Sequence, residues 1–194
     1  MKKLTSKDLI NIGIFTAIYF VVVIILVHIA FVPALQLISM PLVGLLTGPI
    51  YLLFIAKIGK FGGVLIMGLF ISVVSGLAVF GNVWCFLIGL AFFVVAELVA
   101  YIGKYKNQKL NNLSFIVVSF WAFGVLGLPW TDSEFFHKVC VDGGYPTEWA
   151  DGVIAVATPL NLVLMLSATL VTALISIVFT KMIFKKHFKK AGIV

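Results

Sequence analysis

The sequence predicts an all-α integral membrane protein, a bundle of six transmembrane helices with both termini on the cytoplasmic side. Three observations predict it. The 194-residue chain is 62% hydrophobic and 11% charged, with a mean hydropathy of +1.20. Its apolar residues gather in runs of about 20, enough for a helix to cross the hydrocarbon core of a bilayer, and the runs lack the alternation that a membrane barrel requires. Its 14 basic residues are all lysines, and 13 of them fall in four groups. These are Lys2, Lys3 and Lys7; Lys57 and Lys60; Lys104, Lys106 and Lys109; and Lys181, Lys185, Lys186, Lys189 and Lys190. The groups occupy both termini and the loops after the second and fourth spans. An even span count places all four on one face, which the positive-inside rule makes cytoplasmic.

The spans follow in order. The first, 9–29, exceeds the apolar region of a signal peptide and lacks a small-residue cleavage site, so it is expected to remain as a helix. The second, 34–56, carries Pro41 and Pro49 and is expected to be kinked or split, with 33–41 as an irregular entry that must be buried or wetted. The third and fourth, 61–80 and 83–102, are uninterrupted apolar runs. The fifth is 113–129. The sixth, 153–183, is too long for one straight span, so its end from Lys181 onward is expected to project from the membrane. Between the last two lies an outer loop, 130–152, holding five of the seven acidic residues: Asp132, Glu134, Asp142, Glu148 and Asp151. It also holds Lys138, the one lysine outside the four groups. No linker or repeat divides the chain, which reads as one integral membrane domain, 1–194.

Composition also sets limits on function. There is no phosphate-binding Gly-Lys-Ser/Thr loop, nucleophile elbow, HExxH or CxxC, so the chain is not expected to be an enzyme or to carry a cofactor of its own. The net charge of +7 reads as the topological signal plus attraction to anionic lipid, not as a nucleic-acid surface. Buried carboxylates for ion coupling are scarce. Glu97, near the cytoplasmic end of span four, is expected to pair with or snorkel toward Lys104 and Lys57.

The outer side gathers the chemically capable residues. His28, Met40, Asn82, Trp84, Trp130, His137, Cys140, Tyr145 and Trp149 all fall there, with Cys85, Phe135 and Phe136 beside them. An interfacial aromatic belt would occupy both rims of the bilayer, whereas all four tryptophans, Trp121 included, lie in the outer half. That one-sided arrangement fits a pocket that stacks on a largely apolar ligand. Cys85 and Cys140 stand on this side as two thiols or as a disulfide; the sequence decides neither. In span one, Gly13 and Ala17 form a small-xxx-small pair, which permits close helix approach.

Four segments, "KLTSKDLINIGIFTAIYF", "LLTGPIYLLFIAKIGKFGG", "AELVAYIGKYKNQKLNNLS" and "KKHFKKAGIV", resemble the Trep_Strep family of small bacterial membrane proteins, regarded as S components of energy-coupling factor ABC transporters. The resemblance implies a six-helix S-component bundle in the bacterial cytoplasmic membrane, binding a micronutrient beneath its outer loops. It implies a transmembrane T component and two cytoplasmic ATPases as partners, with Gly13 and Ala17 at the positions that contact the T component. The ligand is then expected to be a flat, largely apolar micronutrient, vitamin-like or a related cofactor precursor. Haem or another tetrapyrrole is the alternative, with His28 and His137 as possible axial ligands. A stand-alone small transporter and a structural membrane subunit are the other classes.

Overall fold

The computed structural model describes residues 3–28 and 32–185, apart from the side chains of Val27 and His28. Its described residues form helices and turns without a strand. Among the described residues, five stretches are long and apolar enough to cross a membrane: Ser6–Leu26, Pro33–Ile58, Val83–Ile102, Gln108–Leu126 and Pro159–Ile183. The third predicted span is a shorter apolar stretch, Gly63–Val79.

Helix α1 is Ser6–His28. Its start is a reciprocal cap: the Thr5 amide donates to the Asp8 carboxylate at 2.7 Å, and the Asp8 amide donates to the Thr5 hydroxyl at 3.3 Å. The second span opens with a 3-10 turn, Pro33–Leu35, and splits into α2, Gln36–Leu46, and α3, Gly48–Ile58. The irregular entry expected over 33–41 is therefore confined to one turn, and Pro41 lies inside α2. Pro49 sits in the first turn of α3, where its missing N–H leaves no intrahelical bond unmade. Helix α4, Gly63–Ser72, runs on into a π-helical stretch, Val73–Val79. Asn82 caps α5, Val83–Ile102, and Asn107 caps α6, Gln108–Val118. Helix α6 thus begins ahead of the predicted 113, and the fifth span ends in two short helices, α7, Phe123–Leu126, and α8, Leu128–Thr131.

The outer segment differs most from expectation. Residues 130–152 are not a loop, because α9, Ser133–Asp142, and α10, Thr147–Val156, occupy them. Nor is 153–183 one helix. The chain breaks at Ala157 and Thr158, and α11 starts afresh as Pro159–Ile183, its Thr158 hydroxyl accepting the Asn161 amide at 3.2 Å. A threonine cap followed by proline at the first helical position makes a new helix more stable than a continuous one.

Helix α11 packs along α2 and α3, running in the same direction. Gly44 faces Thr169 and Thr172, and Gly48 faces Ser176; a methyl group at Gly44 would lie 3.2 Å from the Thr172 hydroxyl, and one at Gly48 would collide with that of Ser176. Small residues on both helices, with Thr169, Ala173 and Ser176 buried, let the backbones close up where lipid provides no hydrophobic drive. Around this seam Tyr19, Tyr51, Phe54, Met67, Phe93 and Phe115 form the buried core, while the flanks expose Ile10, Val21, Leu87 and Val178, as a lipid-facing surface requires.

The two ends of the bundle differ. At one, Lys60 pairs with Asp8, joining the loop after α3 to the start of α1, and Phe61 meets Tyr101 edge-on at 5.4 Å. At the other, α8, α9, α10 and the start of α5 enclose a second small core of Cys85, Leu128, Phe136, Cys140, Ala150 and Val153. This helical cap rests on the Pro33–Leu35 turn, with Gly152 against Pro33.

Candidate functional site

The cap is built by two short helices whose ends are fixed locally. Asp132 starts α9 by accepting the Phe135 amide at 3.0 Å. Phe136 and Cys140, one turn apart, then point into the small core, against Ala150 and Val153 of α10. Trp149 lies over this core, with its ring 4.8 Å from Tyr145 and 6.2 Å from Phe136. Its indole nitrogen is buried and has no acceptor among the described residues. A buried indole N–H ordinarily finds a partner, and leaving it unpaired costs about 1–3 kcal/mol. His137 Nε2 lies 3.2 Å from Asp151 Oδ1 and joins α9 to α10. Both cysteines are free thiols within one apolar cluster, and burial pushes the Cys140 thiol up to about 11.

The remaining outer-side candidates scatter. Asn82 uses its side-chain oxygen to cap α5, accepting from the Trp84 and Cys85 amides at 2.8 and 3.1 Å. Trp84 is 72% exposed on the rim. Trp130 donates to the Thr158 carbonyl at 2.8 Å, which pins α8 to the break before α11. Met40 is fully buried in the main bundle core, and Trp121 donates to the Tyr19 hydroxyl at 3.0 Å inside the bundle. The His28 side chain lies outside the described residues. Thus Phe136, His137, Cys140, Tyr145 and Trp149 come together, while Met40 and Trp121 belong to the bundle. Asp151 stands among the five acids of 130–152 but not among the expected site residues, because its pairing with His137 requires α9 and α10 where the sequence predicts a loop. The Asp-Ser-Glu start at 132–134 signals α9 and could have revealed it.

Glu97 corrects a second expectation. It does not pair with Lys104 or Lys57; it is fully buried, accepting the Leu65 amide at 3.0 Å on one oxygen and the Tyr105 hydroxyl on the other. Leu65 lies in the first turn of α4, whose own cap position is Gly62, a residue with no side chain and a left-handed φ of 93°. Glu97 therefore caps α4 from the neighbouring helix α5, supplying the acceptor that Gly62 lacks. Burial first, and then the carboxylate it serves, pushes the Tyr105 hydroxyl up. Near this end opens a cavity of about 420 Å³, far from the aromatic cap and lined by Gly59, Phe61, Tyr101, Ile102, Lys104 and Tyr105.

Gly13 and Ala17 are exposed on the face of α1 turned away from the bundle, and a methyl group added at Gly13 would touch nothing within 4 Å. Small-residue packing inside the protein is done elsewhere, by Gly44 and Gly48 against α11 and by Gly76 and Gly124 against the backbone of α5.

Apolar helices of spanning length, an exposed apolar flank and a polar cap at one end define a multi-pass membrane protein of the bacterial membrane. Over residues 6–190 the chain matches the family described as hypothetical bacterial integral membrane protein (Trep_Strep), and it belongs to that family. Neither a curated protein nor a solved structure matches it.

Proposed function

We propose that the chain is the substrate-capturing subunit of an energy-coupling factor importer, an S component that takes a small organic micronutrient from the outer side and does no chemistry on it. The observation that carries this reading is the Trp149 indole N–H, buried and unpaired beneath an aromatic stack at the end opposite the lysines. Such a group favours a ligand that is flat enough to stack on Tyr145 and Trp149 and presents one acceptor to the indole. The exposed Gly13 and Ala17 strip supports contact with a T component, through which two ATPases would supply the energy. Lysine placement supports six spans with both termini cytoplasmic, Gly63–Val79 being the shortest.

A vitamin-like ligand ranks above haem on this geometry. Of the described residues that could ligate iron, His137 is held by Asp151, Tyr145 stacks on Trp149, Cys140 is buried in the cap and Met40 in the bundle, so these four do not converge; the His28 side chain lies outside the described residues.

The test has two arms. Protein purified from its native host should release a small aromatic cofactor precursor on denaturation, seen by mass spectrometry, and Trp149→Phe should weaken its binding about tenfold, the order expected for one lost buried hydrogen bond. Uptake should require the T component and ATPases and be lost in Gly13→Leu/Ala17→Leu, with ligand binding retained. Transport without ATPases would replace this reading with a stand-alone carrier. A saturable Soret shift altered by His137→Ala would restore haem, and binding of no small molecule would leave a structural subunit.

A further inference from the structure

The cavity at the lysine end has two unlike walls. Phe61, Tyr101 and Ile102 make an apolar wall on the lipid-facing flank, with Ile102 itself 72% exposed. Lys104 and Tyr105 make the other wall, and both have left-handed backbones, with φ of 50° and 59°. Each such non-glycine residue costs about 1–2 kcal/mol and persists only where its surroundings hold it. The holding contacts are visible. The Tyr105 amide donates to the Ala100 carbonyl at 3.0 Å, the Asn111 side chain donates to the Tyr105 carbonyl at 3.0 Å, and the Tyr105 hydroxyl is anchored on Glu97.

The strained turn places a lysine at the cavity. Its neighbours are engaged: Lys60 pairs with Asp8, and the Lys57 ammonium sits 5.8 Å from the centre of the Phe15 ring. Lys104 has no carboxylate within ion-pair distance among the described residues, and both Glu97 oxygens already accept from other donors. We propose that this cavity binds an anionic phospholipid from the leaflet on the lysine side, with the phosphate on Lys104 and an acyl chain along Phe61, Tyr101 and Ile102. The occupant must be anionic at one end, apolar along the other, and already present in the bilayer. A soluble anion would leave the apolar wall in contact with nothing, and a polypeptide would bring backbone groups that this wall cannot pair.

Native mass spectrometry and thermal shift, with the full chain in neutral detergent, test this with dioleoyl-phosphatidylglycerol, dioleoyl-phosphatidylcholine and inorganic phosphate. Phosphatidylglycerol should stay bound and raise the melting temperature, while the other two should do neither. Lys104→Gln should weaken phosphatidylglycerol at least about fivefold, the scale of one lysine near an anionic surface. Lys109→Gln, an exposed lysine that does not line the cavity, should leave it unchanged. Lys104→Gly separates binding from folding, because it relieves the left-handed strain: the lipid-free protein should melt higher and yet bind the lipid less. Equal losses in the Lys104 and Lys109 variants would reduce the effect to diffuse charge attraction. Equal binding of phosphatidylcholine would leave a merely apolar groove, and saturation by phosphate alone would make it a soluble-anion site; each of these results overturns the proposal.

Discussion

Two buried polar groups, the Glu97 carboxylate toward one end of this bundle and the Trp149 indole N–H toward the other, are treated in opposite ways. Glu97, near the lysine end, uses both carboxylate oxygens, on Leu65 and Tyr105. Trp149, in the cap, buries an N–H that bonds to nothing described. The same contrast recurs in the small residues, since Gly44 and Gly48 are filled against α11 while Gly13 and Ala17 face outward. A polar or small group whose bonding or packing capacity is used up explains the fold. Unused capacity alone does not mark a partner, since the Ser72 and Ser176 hydroxyls are also buried and unpaired within the bundle; Trp149 differs in lying among stacked aromatic rings in the cap.

Gly48 should give the largest effect. A leucine there must displace Ser176 and Phe115, which already stand against the glycine, and the overpacking should cost at least about 3 kcal/mol and abolish recovery of folded protein. Gly13→Leu should purify and melt like the unsubstituted chain. Equal losses of monodisperse protein in size-exclusion chromatography would show that Gly13 is packed after all.

Glu97→Ala comes next. It leaves the Leu65 amide and the Tyr105 hydroxyl without an acceptor, a loss of about 3 kcal/mol, whereas Glu97→Gln keeps one acceptor and should lose roughly half as much. Trp149→Phe relieves an unpaired buried donor but also gives up indole packing on Tyr145 and Phe136, and the two offset, so its melting temperature should hardly move while ligand binding falls. If Glu97→Ala melts normally but transport fails, the carboxylate serves transport and not the α4 cap.

Much of the fold was legible because its signals are local. Apolar run length needs no tertiary contact, and it located the long helices; Asn82 and Asn107 stand as caps just before α5 and α6. The cap was missed for a physical reason. Hydropathy averages over many residues and merged α10 with α11, although Thr158-Pro159 is a start signal two residues long. Glu97 was misassigned because its partners are a backbone amide 32 positions away and a tyrosine in a strained turn. Nothing in the side-chain pattern encodes a carboxylate near the far end of α5 capping the start of α4, whose own cap residue is a glycine. The aromatic site was legible as a list and not as a cluster, since which aromatic stacks on which depends on how α9 and α10 fold back.

The smallest expected effect concerns what holds the cap closed. His137 and Asp151 make the one histidine–carboxylate contact in the cap among the described residues, an ion pair only when the imidazole carries a proton, and it looks like a latch between α9 and α10. Yet the Asp151 side chain is 64% exposed and that of His137 35%, and exposed pairs contribute about 0–1 kcal/mol, less in salt. The buried contacts beneath are worth more: Val153→Ala deletes two methyl groups from the small core and should cost roughly 2 kcal/mol. Asp151→Asn should therefore lower the melting temperature less than Val153→Ala does, and the difference from the unsubstituted protein should shrink further in 0.5 M salt. The reverse ranking would mean that electrostatics closes the cap. Trp149 would then be covered by a latch that opens with ionic strength, and ligand affinity would have to fall in salt along with the melting temperature.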